Sequence, residues 1–384
     1  MKPSARVQTD AHSGLAPERE RVPGWDMLRG LCALAVASYH LLYWQGLASL
    51  HTLGSYGVYL FFILSGASLS YTYADGFRRR GDVVAFVVTR WLRLAPLYLL
   101  LCIVFVAMLS QRDGQLVDQL GWRTLLNASF GFGLVDPAIW ALLIGGWSLG
   151  IEFVYYLAFP AWMSVVARRG RGPMLWLVLC VLQWFWILHT AGSDAGYAAS
   201  AVAYHQIPAF GAYFFGGCLI GQWRRVKDLR LPTGWGVAVW VGMGALLLAL
   251  NPLEQGDELL GWRGMMLFVA CFAVVALSGQ VRLDGGAQAC ARWLGDITYG
   301  CYLMHPLVFF GFAWFVLPHV TEVEIQDMPT LPGLVLVAVV LTLSCWLAKL
   351  SERHLETPLR HWGRRKLFGR KSPPKGLHPV SRRS

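Results

Sequence analysis

The sequence predicts an all-α integral membrane protein, a bundle of about ten transmembrane helices with both termini cytoplasmic. Three observations carry that expectation. Charged residues are only 14% and hydrophobic residues 56% of the 384 positions, whereas a soluble domain carries about 25% charged residues. Long apolar runs broken by short polar loops recur from residue 30 to residue 350, each near the ~20 residues a helix needs to cross a ~30 Å hydrocarbon core. The basic residues between those runs also fall in alternate loops.

Taken in order, residues 1–24 are polar and mixed in charge, with Asp10, Glu18 and Glu20 beside Arg19 and Arg21. No small-residue cleavage site follows the first apolar run, so this stretch reads as a disordered cytoplasmic tail and not as a signal peptide. Ten candidate spans follow at about 27–47, 55–73, 84–110, 140–167, 174–191, 206–222, 234–250, 263–279, 294–317 and 331–350. They make up a transmembrane domain over residues 25–360, and residues 361–384 form a basic cytoplasmic tail. The loops after spans two, four, six and eight hold Arg78, Arg79, Arg80, Arg168, Arg169, Arg171, Arg224, Arg225, Lys227, Arg230, Arg282 and Arg292, whereas the opposite loops hold Arg112, Arg123 and Arg263. Lys and Arg are retained on the cytoplasmic side, and an even number of spans returns the chain to the side on which it started.

The net charge of +11 is then a matter of topology and anionic-lipid contact, not of nucleic-acid binding. The eight cysteines are scattered, mostly within spans, without a CxxC pair; they read as small apolar core residues, with no metal site. No inverted repeat of the kind found in secondary transporters is visible.

Function must therefore lie in the polar residues inside the spans, which are costly in lipid unless they face a protein interior or an aqueous cavity. In WDMLRGLCALAVASYHLLYW, Arg29 and His40 are eleven residues apart, about 20° past three full helical turns and ~16 Å along the axis. They share a face, with Asp26 one turn before Arg29. A buried polar ladder that only fixes helix packing would look the same. In RWLRLAPLY, Arg90 and Arg93 share a face at i and i+3. Two guanidiniums so placed form a clamp for phosphate, although ordinary headgroup anchoring has the same signature. WSLGIEFVYYLAFP carries Trp147, Ser148 and Glu152, a carboxylate with no charged neighbour, and Tyr156 continues its stripe. In GDITYGCYLMHPLV, Asp296, Tyr299 and His305 open the ninth span; His305, before Pro306, is either a pocket residue at a helix break or an interfacial histidine.

These clusters resemble, in order and nearly in spelling, the acyltransferase-3 family of bacterial multi-pass membrane O-acyltransferases, over residues 25–360. That family opens with a run like LDGLRGLAALxVxxxH, matched at Asp26, Arg29, Gly30 and His40. A GVDLFFVLSGF-like run is matched by GVYLFFILSGA at Gly57, Phe61, Phe62, Ser65 and Gly66, and an RxxR motif by Arg90 and Arg93. WSLxxE is matched at Trp147, Ser148, Leu149 and Glu152, and an SYxxYLxHxP-like run from Tyr299 to Leu307. The closing IExPxR is matched by Glu356, Pro358 and Arg360. In two places the chain departs from the pattern: Tyr59 replaces the usual Asp of GVDLFF, and Phe153 replaces a second acid after Glu152. The chain is also expected to lack the hydrolase-like domain that larger members append, so that any acceptor-handling step done by such a domain needs a separate protein.

The resemblance implies an enzyme of the cytoplasmic (inner) membrane that moves an acyl group, most often acetyl, from cytoplasmic acyl-CoA to a hydroxyl of a carbohydrate, glycolipid or small acceptor. Acyl-CoA is a donor substrate, with no permanently bound cofactor. An imidazole suits removal of the hydroxyl proton, which makes His40 the candidate base. Arg90 and Arg93 are candidates to hold the CoA phosphates, and Arg29 to join them or to steer the thioester toward His40. Glu152 and His305 are left with three open roles: orienting the imidazole, positioning the acceptor, or forming another acid and base pair. The acceptor pocket is expected from loops 111–138 and 192–205. A multi-pass transporter or flippase of a glycolipid-like substrate is the alternative, since it also needs buried Arg, His and Glu; a purely structural role predicts that His40→Ala and Arg93→Ala leave function intact.

Overall fold

A computed structural model describes residues 21–73, 77, 79–166, 171–191 and 204–368. Residues 1–20, Arg78, Arg168, Arg169, most of the 192–205 loop and the tail beyond residue 368 lie outside them, so the expectations placed there go without a structural account.

The described residues are helical throughout apart from turns and one isolated β-bridge, Leu231 to Val281. Fourteen α-helices follow one another among them: α1 Pro23–Trp44, α2 His51–Thr72, α3 Arg80–Asp113, α4 Leu120–Ser129, α5 Pro137–Trp140, α6 Trp147–Val166, α7 Arg171–Ala191, α8 Gly211–Val226, α9 Thr233–Ala249, α10 Gly261–Ser278, α11 Gly285–Phe315, α12 Leu317–Val320, α13 Thr330–Ser351 and α14 Thr357–Phe368. Each of the ten apolar stretches falls on one of the long helices. Six segments are long and apolar enough to cross a bilayer: His51–Thr72, Arg80–Asp113, Arg171–Thr190, Gly261–Ser278, Gly285–Val320 and Thr330–Gly363. Of the others, α8 and α9 have 16 and 17 residues, and α1 carries Asp26, Arg29 and His40. This is a multi-helical membrane protein with six segments that meet the length and composition requirement, fewer than the ten expected.

Helix packing is set by small residues. The α2–α8 contact is the most extensive, followed by α1–α11. Gly217 and Gly221, one turn apart on α8, lie against the α2 backbone so closely that a Cβ on either would sit 2.1 Å from a carbonyl oxygen, of Ile63 and of Ala67 respectively. Gly66 of α2 meets the Phe214 carbonyl at 2.0 Å in the same way. Such a small-xxx-small stripe lets backbones approach where lipid supplies no hydrophobic drive for association.

One end of the bundle is laced by charge. Arg21 donates to Asp26 at 2.8 Å and to Asp296 at 2.7 Å. Lys349 joins Asp296 at 3.2 Å to Glu352 at 3.1 Å, and Arg360 stands 3.6 Å from Glu352. The chain runs without interruption from α13 into α14 through one π-helical turn, Glu352–Glu356, which keeps Glu356 buried and swings Arg360 back toward α3.

Candidate functional site

Two cavities lie end to end along α1. The first, about 110 Å³, is lined by Arg29, Arg90, Arg93, Ser65, Ser68, Ser148, Glu152, Tyr156, Tyr299 and Tyr302 among others. The second, about 510 Å³, is lined by His40, Tyr39, Tyr43, Trp44, Trp147, Tyr204, His205, Glu258 and Tyr302. Val58 and Tyr302 belong to both walls. The RxxR and WSLxxE motifs thus meet in one place, and His40 occupies the next.

The arginine chamber contains three guanidiniums of unequal freedom. Arg29 is largely committed: it donates to Asp26 at 3.1 Å, to the Leu64 carbonyl at 3.1 Å and to the Ser68 hydroxyl. Arg90 and Arg93 have no ion-pair partner among the described residues, and the buried Nε–H of Arg90 makes no hydrogen bond there. A buried donor without a partner costs ~1–3 kcal/mol, more when charged, so Arg90 has a donor open to an acceptor. Arg90 also lies 5.7 Å from the Phe86 ring centroid. Glu152 does not reach His40; it accepts from Ser65 at 2.6 Å and from the Tyr156 hydroxyl. Tyr299 donates to the Leu94 carbonyl, tying α11 to α3 beside Arg93.

The histidine chamber is organised by α1 and α11. His40 Nδ1 stands 3.0 Å from His305 Nε2. On its other side His305 Nδ1 is 3.2 Å from the Cys301 carbonyl. A carbonyl only accepts, so Nδ1 of His305 carries the proton and its Nε2 is the acceptor; His40 then donates through Nδ1 and keeps a lone pair on Nε2. Trp44 stacks on the His40 ring at 4.9 Å and 8°, and His305 at 5.2 Å and 13°. Helix α11 passes straight through Pro306, and His305 is 1% exposed. It is therefore neither at a helix break nor interfacial. Proline removes the donor to the carbonyl four residues earlier, which leaves the Tyr302 carbonyl without its helical partner at this very turn.

The remaining motif residues act as walls. Trp147 packs edge-on against His205 at 4.3 Å. Tyr302 donates to the Gly145 carbonyl at 3.0 Å and meets Ser148 Oγ at 3.0 Å, so Ser148 is tied to the wall that Tyr302 shares between the chambers. Cys301 faces Cys345, Sγ to Sγ 3.8 Å, and Cys32 is buried in the core. Tyr59, in place of the family's Asp, is 1% exposed and stacks on Tyr213 at 4.0 Å.

The acyltransferase-domain family profile matches residues 22–349. The chain belongs to the acyltransferase-3 family. Among similar proteins, the acyltransferase MdmB of Streptomyces mycarofaciens is 31% identical, over 77% of this chain and 80% of its own. The peptidoglycan O-acetyltransferase OatA of Listeria monocytogenes is 24% identical over 90% of this chain and 57% of its own. A putative peptidoglycan O-acetyltransferase of Bacillus subtilis, YrhL, is 26% identical over 89% and 55%. The chain thus spans little more than half the length of the two peptidoglycan relatives. No solved structure matches it. Outside the matched positions, Ser68 lines the arginine chamber, and Trp44 and Glu258 line the histidine chamber. Tyr302 falls within the run matched from Tyr299 to Leu307, one turn before His305, whereas Glu258, close to Glu254 and Asp257, carries no motif to mark it.

Proposed function

We propose that this membrane acyltransferase moves an acyl group from an anionic thioester donor, acyl-CoA, to a hydroxyl of a carbohydrate or similar acceptor, with the donor at the arginine chamber and the acceptor at the histidine chamber. The observation that carries the reading is the shared wall: a chamber with two uncommitted guanidiniums adjoins one that holds an imidazole with a free lone pair. The CoA phosphates would be held by Arg90 and Arg93 while the thioester reaches toward His40.

In the reaction the acceptor hydroxyl loses its proton to His40 Nε2 as its oxygen attacks the thioester carbonyl. A C–O bond forms, the C–S bond breaks, and the proton passes on to the departing thiolate. His305 accepts from Nδ1 throughout and holds the ring, which makes it a positioning residue. The Trp44 face over the ring favours the imidazolium that forms, a cation–π contribution of ~0.5–2 kcal/mol. Positive loops at the bundle end beside Arg21, Arg90 and Arg360 support a cytoplasmic donor side.

The test uses the purified full chain with labelled acetyl-CoA and a glycan acceptor. His40→Ala should cost ~10²–10⁴-fold in transfer with donor binding kept, and Arg90→Ala/Arg93→Ala should weaken donor binding. Equal loss of donor affinity in both would contradict the division of roles. Movement of a glycolipid across liposomes without any acyl transfer would favour the transporter reading.

A further inference from the structure

We propose that the histidine chamber selects its acceptor by charge, taking a sugar-like ring that is neutral or positively charged and rejecting an anionic one, and that Glu258 sets this selection. The proposal rests on the acyl-transfer reading for the chamber's purpose, but charge selection is a property of binding and can fail on its own. The two chambers differ sharply in sign. No Lys or Arg lines the histidine chamber among the described residues, whereas three arginines line its neighbour. Its one carboxylate, Glu258, belongs to a residue 1% exposed and has no ion-pair partner among the described residues.

The carboxylate is held in place from two sides. Ser55 of α2 donates to Oε1 at 2.7 Å, and the Gly256 N–H to Oε2 at 2.7 Å. Gly256 has φ +103°, a conformation open to glycine and strained for other residues, so the turn that aims its N–H at Glu258 depends on it. Each carboxylate oxygen accepts one of these bonds and keeps a further acceptor site for a ligand hydroxyl or ammonium. Trp44, Trp147, Tyr43 and Tyr204 supply flat apolar faces around it, which suit the C–H faces of a sugar ring and attract cations. The adjoining cleft, about 870 Å³, shares Tyr43 and Trp44, adds Glu322 and Glu324, and has no Lys or Arg among its described lining residues. An anionic ring would meet like charge at Glu258, where low dielectric strengthens repulsion.

The experiment is equilibrium dialysis of the full chain in detergent against labelled methyl glucosaminide, methyl glucoside and methyl glucuronide, at a pH where the amine is charged. The expected order runs from glucosaminide, the tightest, to glucuronide, the weakest, with about tenfold or more between them, the scale of one hydrogen bond to a charged group. Glu258→Gln keeps an acceptor for Gly256 and a partner for Ser55; it should close that spread, with glucosaminide losing affinity and glucuronide gaining it. Glucuronide bound as tightly as glucosaminide by the unaltered protein overturns the proposal without any variant. It is equally overturned if none of the three probes binds, or if Glu258→Gln weakens all three alike and lowers the melting temperature, since Glu258 would then only tether its loop to α2. Any of these results with transfer activity intact leaves the acyl-transfer reading standing.

Discussion

His40 and His305 come from positions 265 residues apart and meet at 3.0 Å. The cost of an imidazole in lipid made each conspicuous in the sequence, but nothing along the chain states that they pair. That fact is created by the packing of α1 on α11. Glu152 illustrates the opposite case, because its motif was legible and its neighbours were not. The stripe that Ser148, Glu152 and Tyr156 share on α6 was read correctly, yet the carboxylate answers Ser65 of α2, not His40. The tautomer argument makes a residue-scale prediction: His305→Gln should lower kcat for transfer by about 10²-fold through misplacement of the His40 ring, leave the donor KM unchanged and alter the pH profile. An unchanged profile together with an unchanged kcat would show that His40 needs no orienting partner.

At the level of elements, the helices themselves were legible because apolar length announces them, whereas their contacts depend on where small residues let two backbones touch. Gly217 and Gly221 sit in FFGGCLIGQW, a run whose value appears only when α8 lies on α2. Gly217→Leu should force α2 and α8 apart at a cost of ~3 kcal/mol or more, read as a lower melting temperature in detergent. Gly242, on α9, is the control: a Cβ there meets nothing within 4 Å, and Gly242→Ala should leave the melting temperature unchanged or raise it. Comparable destabilisation by both would assign the effect to helix propensity and not to close approach. The number of spans does not follow from apolar runs alone, since α8 and α9 are short and α1 carries Asp26 and Arg29 within its length.

For the whole molecule, the alternation of basic loops predicts that the two ends of the bundle face different compartments. Cys290 tests it, because it is exposed at the start of α11 while the other cysteines are buried or half-buried. A membrane-impermeant maleimide should label Cys290 only when it has access to the cytoplasmic face, for example in inverted vesicles; labelling from outside intact cells would reverse the topology. The wall that the two chambers share through Val58 and Tyr302 has a kinetic consequence. The two thiols within the motif runs are turned aside, Cys301 toward Cys345 and Cys32 into the core. Direct transfer, as proposed, needs donor and acceptor bound together, so initial rates against one substrate at fixed levels of the other should give intersecting lines and not the parallel lines of a ping-pong enzyme.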